Sequence, residues 1–232
     1  MFLKRTKDFV LDLIFPQFCL LCGQEMGAWL CPGCLGKILP IQTQVCPACG
    51  RISQKGRFCR PCRIPALSGM VVAGYYEEGP MKEIIHNFKY NSLIKLGELL
   101  GEMMARSWRE NFPMDKDFLI TAVPLHFLRQ AKRGYNQSEV LAENIASRLN
   151  LEKNFKILRK FRSTAPQVKT SGKERLKNIK SSFKINQKIN ICGRRLILVD
   201  DVATTGATLQ ECARLLKKAG AKEVWGLVIA RG

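Results

Sequence analysis

The stretch Ile197–Leu209, ILVDDVATTGATL, decides the fold of this chain. Its apolar lead-in, Leu196–Val199, reads as a strand buried on both faces of a parallel sheet, where near-continuous apolar runs replace alternation. Sheets of that kind bind ligands in the crevice beyond the carboxyl ends of their strands. Asp200 and Asp201 fall at that edge. Val202, Ala203, Thr204, Thr205, Gly206, Ala207 and Thr208 follow, and from Ala203 to Ala207 no bulky side chain shields the backbone. An apolar pattern at helical spacing comes next. Successive exposed N–H groups at a helix N-terminus make a nest for a phosphate.

Two carboxylates beside a phosphate cradle repel a nucleotide's phosphates. They suit a ligand with hydroxyls next to its phosphate, and a divalent cation. A ribose 5-phosphate meets both demands: amides and threonine hydroxyls for the phosphate, aspartates for the ribose hydroxyls. The plain alternative is a strand, a turn and an N-capped helix, but ordinary turn chemistry does not require the string DDVATTGAT. The chain has no GxGxxG after a strand and no GxxxxGK[ST]. The string resembles the PRPP-binding motif of type I phosphoribosyltransferases, PRPP being a ribose 5-phosphate with a 1-pyrophosphate.

At 232 residues the chain can hold one medium domain and a small one. No apolar run approaches the ~20 residues of a membrane helix. The start, MFLKRTKDFVLDLIFPQ, has no small-residue cleavage site, and Asp8 and Asp12 interrupt it. Leu3, Phe9, Val10, Leu13 and Ile14 suggest a short amphipathic helix packed on the next domain. The expected location is the cytoplasm, free or peripheral at the inner face of the membrane. Formal charge is +19, and residues 151–190 hold 12 Lys/Arg against 2 Asp/Glu. A run that dense and one-signed should attract polyanions, whether PRPP or nucleic acid.

Eight of the ten cysteines form CxxC pairs: Cys19/Cys22, Cys31/Cys34, Cys46/Cys49 and Cys59/Cys62. CPGC and CPACG resemble zinc knuckles. A four-thiolate tetrahedral site takes two such pairs, so four pairs make two closed structural zinc sites with no open position for catalysis. Sequential pairing is the expectation, with crossed pairing open. A segment this short cannot fold on core burial alone, and the metal would supply the difference. Cys192 and Cys212 read as ordinary buried residues. The expected domains are 1–66, a helix with a double zinc ribbon, and 67–232, a parallel α/β domain.

Along that second domain Met70–Tyr76, Phe118–Val123, Phe155–Leu158 and Val224–Ala230 read as strands. Gly79–Tyr90, Leu93–Trp108 and Ser138–Leu149 read as helices, with Ile84, Ile85 and Phe88 inward and Ser138 as an N-cap. Alternation of the two indicates a parallel sheet. Pro124–Gln137, PLHFLRQAKRGYNQ, follows a strand end, so it lies on the aspartates' edge. It reads as a basic loop in which Arg129, Lys132 and Arg133 face the crevice and Gly134 allows a tight turn. Arg159–Phe183, with Arg162, Thr164, Gln167, Arg175 and Asn178, reads as a lid over a charged ligand or as a basic surface element. Tyr75, Tyr76, Tyr90 and Tyr135 are too scattered for a base-stacking platform and read as core or hinge packing.

Taken in order, a tandem zinc ribbon, VPLHxxRxxxRGYNQ, RxTxxQxxxxxxxRxxNxxxxF, VDDVATTGAT and a VIARG end resemble the ComF family of bacterial competence and DNA-utilisation proteins, GntX-like proteins among them. The family's Lys-Tyr-x-Gly stretch stands here as Lys89, Tyr90, Asn91 and Ser92, serine replacing glycine. The resemblance implies a type I phosphoribosyltransferase fold, PRPP with Mg2+, and work in DNA uptake or use of imported DNA. It also implies handling of single-stranded DNA and a partnership with an uptake helicase. Asp200 and Asp201 would hold the ribose hydroxyls, directly or with the metal. Val202–Thr208 would cradle the 5-phosphate, and Arg133, with Arg129 and Lys132, would face the pyrophosphate. No residue declares an acceptor. A non-catalytic single-strand-binding module and a PRPP-responsive regulator stand as rival readings. Dependence on Asp200 and Asp201 separates them, since a phosphate-backbone groove gains nothing from carboxylates.

Overall fold

The computed structural model describes residues 18–38, 40–62, 66–76, 80–90, 93–113, 115, 117–161 and 182–232. The expected N-terminal helix and the lid positions Arg162, Thr164, Gln167, Arg175 and Asn178 lie outside the described residues. After one helical turn at Pro32–Leu35 and 3-10 turns at Gln54–Gly56 and Arg60–Cys62, the elements in chain order are β1 (Gly69–Tyr75), α1 (Met81–Tyr90), α2 (Leu96–Asn111), β2 (Leu119–Ala122), α3 (Phe127–Arg133) and α4 (Gln137–Leu149). Then come β3 (Glu152–Lys153), β4 (Leu158–Lys160), β5 (Phe183–Ile185), β6 (Arg195–Ala203), α5 (Ala207–Lys218) and β7 (Glu223–Arg231).

Five strands form one parallel sheet in the order β1-β7-β6-β2-β3, and β4 pairs antiparallel with β5 in a separate hairpin. The central strands carry uninterrupted apolar runs, Leu196–Val199 in β6 and Val224–Ala230 in β7, because both faces are covered there. Ile197, Val199, Trp225, Leu227 and Ile229 face one core with Ile84 and Phe88 of α1, Leu100, Met104 and Trp108 of α2, and Leu141 and Ile145 of α4. Leu196, Leu198, Val224 and Val228 face the other, with Leu209, Cys212 and Leu216 of α5 and with Leu158 and Phe183 of the hairpin. The chain leaves β2 toward the first face and β6 toward the second. Strand order therefore reverses between β2 and β6, and a crevice opens above their carboxyl ends.

Helices α2 and α4 meet closely because Gly97 and Gly101 stand between them. A Cβ at either would lie 2.5 Å from a side-chain carbon of Val140 or Asn144. The cysteine-rich segment lies along the outer edge of β1. Gln44 behaves as a strand residue there: its Nε2 donates to Val72 O at 2.9 Å and its Oε1 accepts from Val72 N at 3.0 Å. Bridges Pro40–Gly74 and Arg57–Gly69 extend the cover. An open strand edge is a template for unwanted pairing, and here that edge is occupied.

Four local expectations change. Residues 155–157 form a turn between β3 and β4 rather than a strand, since Asn154 Oδ1 accepts from Lys156 N at 3.0 Å. Ser138 is not the cap of α4; Asn136 is, through its Oδ1 and Ser138 N at 3.2 Å. Pro124–Gln137 is not a plain loop, because it contains α3. Cys192 is exposed in the turn before β6, and Cys212 alone is buried.

Candidate active site

Strand β6 stays hydrogen-bonded through Asp200, Val202 and Ala203, which align with Val228, Ala230 and Arg231 of β7. The aspartates therefore stand in the last four residues of a strand that is still paired with its neighbour. Asp200 Oδ1 accepts from Ser138 Oγ and from Asp201 N, each at 2.9 Å. Asp201 Oδ1 accepts from Val202 N at 2.6 Å and takes Lys89 Nζ at 3.0 Å in a largely covered ion pair. Burial, with the neighbouring Asp201 charge, pushes the Asp200 carboxyl up to about 7, against the pull of Ser138, the Asp201 amide and Lys89.

The chain leaves the sheet at Thr204 and Thr205, both exposed, and turns at Gly206 with φ +69° into α5. That left-handed conformation is cheap only for glycine. The first-turn amides of a helix have no partners within it, so α5 offers donors beside the aspartates. Thr205 Oγ1 already accepts from Ala207 N at 3.4 Å. Of the expected cradle, Val202 and Ala203 belong to the strand, and Thr204–Thr208 form the open turn and helix start.

Opposite them, α3 carries Arg129, Lys132 and Arg133 at spacings that share one helix face. Arg133 is not loose. Its Nη1 donates to Gln137 Oε1 at 3.0 Å, its Nη2 to Tyr90 Oη at 3.3 Å, and its guanidinium lies 4.9 Å from the Tyr90 ring. The stretch Gly134–Ser138 works as a joint. Gly134 ends α3 at φ 82°, and the Tyr135 hydroxyl donates to Phe88 O. Asn136 caps α4 and donates to Val123 O at 3.2 Å, and Ser138 holds Asp200. The joint thus ties α1, β2, α3, α4 and β6 at one point.

Three contributors carry no sequence signal of their role. Lys89 stands in the family's Lys-Tyr stretch, yet it is the cation on Asp201. Ser138 has the look of a cap, yet it donates to Asp200. At Lys160, burial and the Arg129 charge lower the pKa, while Cys212 and Asp200 draw it up. No local pattern marks a lysine whose partner is 40 residues away in sequence.

The cysteines gather as Cys19, Cys22, Cys31, Cys34 and as Cys46, Cys49, Cys59, Cys62, with each set's sulfurs within 4.8 Å of one another. Sequential pairing is thereby settled. Cys22 and Cys31 sulfurs are 3.7 Å apart and Cys49 and Cys59 sulfurs 3.5 Å, near the edge of about 3.8 Å of a tetrahedron with ~2.3 Å zinc–sulfur bonds. Backbone hydrogen bonds from Cys31, and then from Cys22 and Leu21, draw Cys19 down to about 6, whereas a side-chain hydrogen bond with Cys31 and then burial push Cys34 up to about 12. Four sulfurs this close ionise together only around a cation, so the donor set fits structural zinc.

A family model described as a phosphoribosyl transferase domain matches residues 123–231, and one described as a double zinc ribbon domain matches residues 10–63. Competence protein F of Haemophilus influenzae is 32% identical over 210 residues, spanning 87% of this chain and 90% of that protein. This chain belongs to the ComF family. Other ComF relatives are the DNA utilization protein YhgH of Escherichia coli, 28% identical over 93% of this chain and 98% of its own, and Competence protein ComFC of Bacillus subtilis, 28% identical over 94% and 96%. A hypoxanthine-guanine phosphoribosyltransferase structure from Bacillus anthracis overlaps 60% of this chain and 70% of its own at 13% identity and TM-score 0.40, too loosely to carry an argument. The sheet, the crevice and the double ribbon of this ComF chain are those of a type I phosphoribosyltransferase fold behind a zinc-binding head.

Proposed function

We propose that this chain binds PRPP with Mg2+ and acts in DNA uptake or in the use of imported DNA, handling single-stranded DNA. One observation carries the PRPP reading: two adjacent carboxylates lie within the last four residues of β6, and the exposed Thr204–Thr205 turn and left-handed Gly206 that open α5 follow directly on that strand. In this reading Thr204, Thr205, Gly206, Ala207 and Thr208 receive the 5-phosphate, with Val202 and Ala203 as their strand support. Asp200 and Asp201 accept from the ribose hydroxyls. Arg133, Arg129 and Lys132 stabilise the departing pyrophosphate, and positioning plus charge stabilisation supply the rate. The oxygen donors of Asp200 and Asp201 fit magnesium, which would neutralise phosphate charge when bound. Domains 1–66 and 67–232 divide the work, zinc holding the first and the second carrying the ligand. The competence and DNA-utilization names of the relatives support the uptake setting, and an uptake helicase is the partner it suggests. Among the described residues no helix is long and apolar enough to cross a membrane.

A binding module without turnover is the second reading, favoured by the excess of 12 cations over 2 anions in residues 151–190. Calorimetry of PRPP with Mg2+ against zinc-loaded wild type and an Asp200→Asn, Asp201→Asn double variant separates the two. Saturable binding lost in a folded variant supports the PRPP site. A folded wild type that gives no heat removes it.

A further inference from the structure

The hairpin of β4 and β5, with the end of α5, carries a second cationic surface that neither aspartate lines. On β4, Leu158 is buried against the sheet and Lys160 interacts with Asp200 and Arg129. Arg159 and Phe161 line a groove of about 780 Å3 between the hairpin and the end of α5, whose floor includes Phe183, Ile185 and Leu215. Lys184 of β5 lines the same groove, and it pairs directly across from Arg159. Like charges opposite each other on one face of a strand pair are destabilising. Lys188 and Lys218 add two more cations, and none of the lining residues is Asp or Glu. Among the described residues none of these four cations forms a salt bridge. Helix-end charge compensation accounts for Lys218 alone. Phe161 is 42% exposed at the rim, with Lys184 Nζ 4.6 Å from its ring centroid.

We propose that this groove binds single-stranded nucleic acid, on a surface separate from the aspartate crevice. The inference rests on the reading that the chain handles DNA strands and is independent of PRPP. Four cations that form no salt bridge among the described residues fit consecutive phosphates, and the exposed aromatic ring fits the face of an unstacked base. A duplex hides that face. A carboxylate-free lining is the converse of the Asp200 and Asp201 crevice, so the two sites select different anions.

The test uses zinc-loaded full-length protein and a fluorescent oligothymidylate of about 12 nucleotides, read by anisotropy across salt concentrations. Lys184→Ala with Lys188→Ala is expected to lower the slope of log affinity against log salt by about 1.4. Phe161→Ala is expected to weaken binding roughly 5- to 100-fold and leave the slope unchanged. Saturating PRPP with Mg2+ is expected to leave oligonucleotide binding as it was. An unchanged slope in the double lysine variant overturns the groove. Displacement by PRPP overturns the separation of surfaces, and equal affinity for a duplex of the same length overturns base contact. The Asp200→Asn, Asp201→Asn variant should bind the oligonucleotide normally. Its PRPP heat, measured separately, tells failure of the transferase reading apart from failure of the groove.

Discussion

At neutral pH the Asp200 carboxyl stands near the middle of its titration, since burial and Asp201 raise it from 3.8 to about 7. The sign of the consequence is fixed. Below about pH 4 the folded and unfolded chains are both protonated at this group. From there to about 7 the unfolded chain has released a proton that the folded chain keeps, so stability falls as pH rises. Asp200→Asn keeps an oxygen for Ser138 and the Asp201 amide. It should raise the thermal midpoint at pH 8 and leave it nearly unchanged at pH 4. A lower midpoint at pH 8 would refute the burial penalty on the ionised carboxyl. PRPP with its metal should favour the ionised form, so binding between pH 6 and 8 should tighten with pH and release a proton. Calorimetry in buffers of different ionisation heat reads that proton. Lys89 pulls Asp200 downward. Lys89→Ala should therefore move the pH dependence of binding upward; an unmoved profile would separate Lys89 from the carboxylate pair.

Elements meet at the Gly134–Ser138 joint, where one short stretch ends a helix, starts another and reaches three further elements. Asn136 is 3% exposed and satisfies Ser138 N, Val123 O and Glu139 at once. Asn136→Ala should cost about 1–2 kcal/mol in urea unfolding, the loss of a cap. Leaving Val123 O unpaired adds to that. A cost near zero would mean the cap is dispensable. Because the joint also holds Ser138 under Asp200, the same variant should weaken PRPP binding without touching a ligand-facing side chain. Here the sequence was partly legible. Pro124 and the basic residues marked a loop on the crevice edge, but a helix of only seven residues, Phe127–Arg133, left no periodicity to read.

For the whole molecule, the cysteine-rich head and the sheet are coupled through the β1 edge, where Gln44 and the bridges at Gly69 and Gly74 occupy backbone groups. Gly56 sits so close to Met70 that a Cβ would fall 2.1 Å from its carbonyl oxygen. Zinc that holds the Cys46–Cys62 site therefore also shields a strand edge. Removing the metal with a chelator, or making Cys46→Ser with Cys49→Ser, should release that cover and increase self-association relative to the zinc-loaded protein. Light scattering after size exclusion measures it. An unchanged mass with intact far-UV dichroism would mean the edge is protected without the ribbon.

The parallel sheet was written into Leu196–Val199 and its neighbours, because a strand covered on both faces must be apolar at every position. The two zinc sites were written into CxxC spacing, because a thiolate tetrahedron takes two such pairs. The aspartates and the glycine before α5 were legible for the same reason: each is a local demand met by local residues. Pairing of the cysteine sets, the partners of Asp200 and Asp201, and the two faces of β4 were decided only by the tertiary structure. Ser138, Lys89 and Lys160 lie 62, 112 and 40 residues from Asp200 or its neighbour in sequence. Their chemistry exists only where α4, α1 and the hairpin converge on the end of β6, and convergence is set by core packing rather than by any pattern along the chain.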